Sequence, residues 1–169
     1  MTDWAKVYQP LIGAKLDALI WMPLGCDTPG VTHDLNSPAF SFTGGVFLAF
    51  EGEGLFLSWK QMGPNMVLAL GQDARWGRHT LDRVRTSRES PWIDLEDATL
   101  RRVELFTTSF IDGGKIVGAR HVMSRDGADF HFWVGTGGAD FIGDQDDLWV
   151  GAGVEPPNFG DLLPAGVIA

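Results

Sequence analysis

The stretch VFLAFEGEGLFLSW, residues 46–59, contains the pattern that decides the fold. Two runs of strand-forming residues flank Gly52-Glu53, and a Gly-X pair in that position suits a two-residue type II′ turn. Because strand side chains alternate between two faces, pairing across this turn collects the large apolar residues on one face. That register sets Phe50 opposite Leu55, Leu48 opposite Leu57, and Val46 opposite Trp59. We expect this hairpin to lie at the centre of the core, with Leu48, Phe50, Leu57 and Trp59 buried.

Similar signals on both sides of this hairpin predict further strands. Residues 15–22 alternate as a first strand would, although a helix is an open alternative for so short a run. A Gly-Pro turn at residues 63–64 predicts a return strand over residues 66–70. The remaining predicted strands cover residues 80–86, 101–111, 115–124, 128–135 and 148–150.

These signals predict a mainly β fold, α+β at most, with a short N-terminal helical segment that Thr2 or Asp3 can cap. The hairpins should build an antiparallel sheet of about seven to nine strands that is strongly curled or closed. At 169 residues the chain has the length of a single domain, residues 1–169, and neither an internal repeat nor a linker divides it.

The composition is that of a globular protein from a reducing compartment. Hydrophobic residues make up 44% and charged residues 21%, far from the composition of disordered chains. The longest apolar run, residues 18–24, is too short to cross a bilayer, and the N-terminus lacks the pattern of a secretion signal. Cys26 is the only cysteine, which excludes an internal disulfide. We therefore expect a cytoplasmic protein that does not bind membranes.

The net charge of −9 is distributed unevenly along the chain. Residues 126–169 contain eight acidic residues and neither Lys nor Arg. Nucleic-acid binding needs a dominant basic face, so this distribution argues against that class of function. It suits a basic protein partner, and it suits equally a surface that is simply well solvated.

The Asp126-Gly127 pair fixes the register of a second hairpin, because its turn type requires positive φ at both positions. The register directs Phe130, Phe132 and Val134 toward the core and the alternate side chains outward. It sets Arg120 opposite Trp133, Val122 opposite His131, and Ser124 opposite Asp129. An outward Trp133 needs cover from the Arg120 side chain, from a ligand or from a partner. The candidate binding residues are therefore Arg120, Asp129, His131 and Trp133, with plain surface stabilisation as the alternative.

Glu104 is predicted to lie near a histidine, on a face that depends on the length of the following loop. A two-residue loop at Gly113-Gly114 puts Glu104 beside His121 on the apolar face. A three-residue loop puts it on the other face, near Arg120 and His131. A buried Glu–His pair shifts both pKa values, so Glu104 and His121 are the candidates for acid–base catalysis. The alternative is a core histidine whose hydrogen bonds are satisfied.

Two loops hold further residues with possible chemistry. The loop over residues 23–39 is unusually long and contains Cys26 and His33, which could form a thiolate–imidazole pair. A buried cysteine and an exposed histidine are the simpler interpretation. Residues 140–147 are rich in Asp but lack the ligand spacing of a calcium loop. No nucleotide-binding, nucleophile-elbow or metalloprotease motif occurs, so we predict neither a metal nor a cofactor.

These residues carry no resemblance to a particular family, and they leave two hypotheses for function. The first is a non-catalytic binding protein that engages another macromolecule through an acidic or aromatic surface, as immunity and inhibitor proteins do. The second is a small-molecule-binding β-barrel or a modest acid–base enzyme with a pocket of Trp, His and Glu side chains. The sequence favours the first hypothesis and leaves open whether the chain is an enzyme.

Overall fold

The computed structural model describes residues 3–25, 36–71, 84–85, 91–111, 113–137 and 147–169. The chain begins with helix α1 (Trp4–Tyr8), which Asp3 caps by accepting a hydrogen bond from the backbone N–H of Lys6. A 3-10 helix, Gln9–Leu11, follows directly. The predicted N-terminal helical segment is confirmed. Within the described ranges, no helix is long and apolar enough to cross a membrane.

Strands make up most of the described chain and pair in two antiparallel sheets. They are β1 (Leu16–Pro23), β2 (Ala39–Phe42), β3 (Gly44–Phe50), β4 (Glu53–Met62), β5 (Asn65–Leu70), β6 (Val84–Arg85), β7 (Thr99–Thr108), β8 (Gly118–Arg125), β9 (Ala128–Thr136), β10 (Leu148–Ala152) and β11 (Leu162–Ile168). One sheet has the strand order β5-β4-β3-β1-β6, and the other has the order β11-β7-β8-β9-β10-β2. The prediction of a mainly β fold with antiparallel pairing is confirmed.

The predicted closed or strongly curled sheet is wrong, because both sheets are open in the part of the chain that the structure describes. The terminal strands are β5 and β6 in the five-stranded sheet, and β11 and β2 in the six-stranded sheet. The main core contains side chains from both sheets, as expected when two sheets pack face to face. Alternation determines which side chains point inward but not whether the edges meet, so a barrel and a sandwich give the same sequence pattern.

The hairpin at residues 46–59 forms with its turn one residue earlier than predicted. Glu51 and Gly52 occupy the turn, Gly52 has a φ of +77°, and Phe50 pairs with Glu53. Each residue of β3 therefore pairs with a β4 residue two positions earlier than predicted. A shift of two residues leaves every side chain on its predicted face. All six apolar side chains of the predicted face are buried in the main core: Val46, Leu48, Phe50, Leu55, Leu57 and Trp59. The central prediction about the core is therefore confirmed.

The hairpin formed by β8 and β9 has the predicted turn and register. Asp126 and Gly127 have φ values of +54° and +81°, which is the conformation that the Asp-Gly pair favours. Arg120 lies opposite Trp133, and Val122 lies opposite His131. Phe132 packs in the main core while Trp133 points to the other side of the sheet.

A second buried cluster covers that other side of the six-stranded sheet, which we call the outer side. The cluster consists of Val67, Phe106, Ile111, Val117, Trp133, Trp149 and Leu162. Trp133 is on the predicted outer side and is 0% exposed. Arg120, one of the three covers considered for it, lies over its ring, and packing of other segments completes the burial. Its cover comes from strands and turns distant in sequence, which the alternation within β9 cannot reveal.

Candidate functional site

Arg120 is the centre of a charged network on the outer side of the sheet. Its Nε donates a hydrogen bond to Glu104 Oε2 at 2.6 Å, and its Nη1 donates to Glu155 Oε1 at 2.9 Å. Arg102 Nε donates to the second oxygen of Glu104 at 2.8 Å. The register of β7 and β8 brings these groups together, because Glu104 lies directly opposite Arg120. Two guanidinium groups and two carboxylates thus balance each other's charge.

Glu104 is ionised at neutral pH in this network. Burial raises the pKa of Glu104, but hydrogen bonds and charge from Arg102 and Arg120 outweigh that effect and hold the pKa below its usual value. A carboxylate in this state accepts hydrogen bonds and has no proton to give. The arrangement suits Glu104 to orienting Arg120 rather than to acid catalysis.

Aromatic rings surround the Arg120 guanidinium group. Its central carbon lies 5.5 Å from the centroid of the Trp133 ring and 5.8 Å from those of Phe106 and Phe159. The predicted contact between Arg120 and Trp133 is therefore present. Cation–π attraction to three rings, together with two carboxylates, fixes the position of this side chain.

His131 and Asp129 lie farther along the same face of β9. His131 Nε2 is 3.6 Å from Glu155 Oε1, so Glu155 links the histidine to Arg120. Asp129 is exposed and pairs across the hairpin with Ser124. The structure thus places Arg120 and His131 around Glu155, with Trp133 against Arg120, and leaves Asp129 in solvent.

Sequence reasoning missed four members of this network: Arg102, Phe106, Glu155 and Phe159. Arg102 is two residues from Glu104 on the same strand, so alternation alone could have identified that contact. Glu155 and Phe159 lie in the segment between β10 and β11, and nothing in their local sequence indicates a contact with Arg120.

Glu104 and His121 lie on opposite faces of the six-stranded sheet and do not meet. The connection between β7 and β8 is longer than the two or three residues predicted, and His121 pairs with Val103 on the core side. There, His121 Nε2 forms a hydrogen bond of 2.8 Å with the Tyr8 hydroxyl. The His121 ring also stacks on Phe132, with centroids 4.3 Å apart.

Burial governs the ionisation of the Tyr8–His121 pair. It lowers the pKa of His121 to about 3 and raises the pKa of the Tyr8 hydroxyl. Both residues are 0% exposed, so no substrate reaches either group in this conformation. The pair attaches helix α1 to the six-stranded sheet.

Exposed apolar side chains concentrate at one edge of the six-stranded sheet. The described residues expose five large hydrophobic side chains, of which Met62 is one. The other four belong to β11, to the turn leading into it, or to the segment after its partner strand β7. They are Phe110 at 49%, Phe159 at 37%, Leu163 at 47% and Val167 at 63% exposure, and we call this group the β11 edge.

A groove of about 310 Å³ lies at the turn end of the β8–β9 hairpin. The apolar side chains along it are Pro91, Leu95, Ala128, Phe130 and Ala152. The described charged side chains along it are Asp94, Arg125 and Asp126, and His131 and Gly153 also line it. This groove shares no residue with the β11 edge.

Other predicted candidates fall partly or wholly outside the described residues. Cys26 and His33 lie outside them, as do most of residues 140–147. Asp147 is described, and its Oδ1 accepts a hydrogen bond from Thr43 Oγ1. Across the described ranges, no three His, Cys, Asp or Glu side chains come together in a group that could hold a metal ion.

Comparison with protein-family models, with curated proteins and with solved structures found no match to this chain.

Proposed function

We propose that this chain is a non-catalytic binding protein that engages another protein through the β11 edge. The observation that carries the proposal is the concentration of four exposed apolar side chains at this edge. Single exposed hydrophobic residues are common on protein surfaces, whereas four along one strand edge favour an interaction site. Leu163 and Val167 pair with Thr107 and Glu104, which point to opposite faces of β7, so they flank the edge from both sides. Two of the four are Phe, a residue type enriched at the centres of interfaces.

The charge around the edge favours a partner with basic residues at its rim. Residues 162–169 carry no charged side chain, and Asp161 is exposed close to Phe159. Glu155, on the other side of Phe159, is paired with Arg120, so the excess negative charge at the edge comes from Asp161. No Lys or Arg occurs from residue 126 onward. A partner with an apolar centre and a basic rim complements this surface, and its association should slow as salt screens the charges.

The partner contacts the edge through side chains rather than by adding a strand to the sheet. Pro164 lacks an N–H donor, and the pairing of β11 with β7 is irregular between Pro164 and Gly166. A proline and a bulge at an edge strand both hinder the addition of a further strand. Leu163 and Val167 remain accessible on either side of this irregularity.

The alternative of a small-molecule barrel or an acid–base enzyme has less support from the same geometry. Its proposed pocket combines Trp rings with His121 and Glu104, yet these two side chains point to opposite sides of a sheet. Glu104 is already bonded to two arginines, and His121 is bonded to Tyr8.

The test compares two variants as bait for proteins from the chain's native cells. Leu163→Ser with Val167→Ser removes apolar area from the β11 edge, and Met62→Ser removes a similar side chain from the other sheet. All three positions are exposed, so neither variant should change the thermal unfolding temperature appreciably. We expect a protein that binds the wild type and Met62→Ser but binds the double variant at least about tenfold more weakly.

Two results would count against this function. One is a captured partner whose Kd is the same for the double variant and the wild type. The other is an equal loss of affinity in Met62→Ser, which would show that the contact is general hydrophobic adhesion rather than recognition by the β11 edge.

A further inference from the structure

We infer that the groove at the turn of the β8–β9 hairpin binds a small organic ammonium ion that carries an apolar group. This site is separate from the β11 edge, and the inference does not depend on the proposed protein partner. It rests on the shape of the groove, its apolar lining and the charge that remains after its internal ion pair is formed.

The floor of the groove suits an apolar group of limited size. Phe130 is partly buried against the main core and Leu95 is fully buried, so both side chains are held in place by packing. The accessible part of Phe130 lines a groove of about 310 Å³, with Leu95 packed beneath it, and this volume is at the lower end of the range for small-molecule sites. A ring or short alkyl chain placed there removes apolar surface from water.

The charges along the groove leave one carboxylate uncompensated. Arg125 Nη2 donates to Asp94 Oδ1 at 3.1 Å, and Arg125 Nη1 donates to the backbone oxygen of Glu96 at 3.3 Å. These bonds occupy the arginine and balance its charge with Asp94. Among the described lining residues, the two acids Asp94 and Asp126 outnumber the one arginine. Asp126 has neither an ion pair nor a side-chain hydrogen bond within the described part of the chain.

The hairpin turn holds Asp126 in place before any ligand arrives. Its φ of +54° is one of only two positive values among the described non-glycine residues, and the type I′ turn imposes it. Because the turn fixes the backbone, only the side-chain torsions of Asp126 lose freedom on binding a cation. An anion would be repelled by Asp126, and Arg125 is already engaged with Asp94, so the site should favour a cation over an anion.

The test is to titrate a small ligand into the whole chain and to monitor binding by the NMR chemical shifts of the backbone amides. Benzylammonium is the probe, benzyl alcohol is the neutral match and benzoate is the anionic match. We expect saturable shifts at Ala128, Phe130 and Gly153 with benzylammonium, affinity at least about tenfold weaker for benzyl alcohol, and no saturable response to benzoate.

Two substitutions assign the effect to the groove. Asp126→Asn keeps a residue that tolerates positive φ, so the turn survives while the charge is lost. It should weaken benzylammonium binding about tenfold or more, whereas Asp129→Asn, which removes an exposed acid from the same hairpin, should leave the affinity unchanged. Shifts that never saturate, equal binding of benzoate, or equal losses in the two variants would overturn the inference.

Discussion

His121 shows how far a single residue can be interpreted from sequence. Alternation placed its side chain on the core side, and a satisfied core histidine was one of two interpretations of it. Tyr8, the hydrogen-bond partner of its Nε2, is 113 residues away and is brought to it by the docking of helix α1. The buried Nδ1 has no side-chain partner among the described residues. Local pattern therefore predicts that a polar group is buried but not which group will meet it.

Burial of His121 makes stability depend on pH in a defined direction. In the unfolded chain His121 takes up a proton as pH falls through about 6.5, whereas in the folded protein it stays neutral until about pH 3. Its contribution is therefore present above about pH 6.5 and is lost progressively below it, by at most about 1.4 kcal/mol per pH unit. Urea unfolding between pH 7 and pH 4 should show this slope in the wild type.

The matched variant for that measurement is His121→Phe, which keeps a ring against Phe132 and removes the titrating group. Carboxylates and other histidines affect both proteins alike, so the difference between the two slopes isolates His121. A wild-type curve parallel to that of the variant would contradict the assignment of a neutral buried imidazole.

Trp133 shows where reasoning from one strand fails. Its contact with Arg120 was predictable from the Asp126-Gly127 register, and it is present at 5.5 Å. Its exposure was not predictable, because Phe106 and Phe159 cover it from β7 and from the turn before β11. A face that alternation assigns to the outside becomes a second core once other segments pack on it.

At the scale of elements, turn chemistry explains which hairpins were predicted accurately. Asp126-Gly127 allows one turn because both positions adopt positive φ, and its register followed directly. Around Gly52, by contrast, a Glu stands on both sides, and either neighbour can complete a two-residue turn. Strand β11 escaped prediction because Pro164 and Gly166 disfavour strands, and only an edge position accommodates them.

Gly127→Ala tests the requirement for positive φ at the second hairpin. A Cβ at Gly127 would meet no atom within 4 Å, so the cost comes from the backbone conformation at φ +81° rather than from a clash. We expect a loss of about 1–2 kcal/mol in the free energy of unfolding, measured by urea titration.

Gly160→Ala is the control, because that glycine is equally open and has no positive φ. It should change the free energy of unfolding by no more than about 0.5 kcal/mol. Equal effects of the two substitutions would mean that the turn conformation at Gly127 does not limit stability.

At the scale of the whole molecule, the sequence predicts the fold class but not the architecture. The inward and outward positions of β3, β4, β8 and β9 were all identified by alternation. The division into two open sheets depends on how β2 and β10 pair across more than 100 residues, which no local pattern encodes. The β11 edge and the groove likewise arise from segments distant in sequence.

The central claim is that the β11 edge contacts another protein, and photocrosslinking in the chain's native cells tests it most directly. A benzophenone side chain at position 167 lies within the edge, and the same group at position 62 provides an exposed reference on the other sheet. We predict a discrete adduct with a second, different protein at position 167 and a much lower yield of it at position 62. No adduct at position 167, equal yields at both positions, or an adduct with the mass of two copies of this chain would contradict the claim.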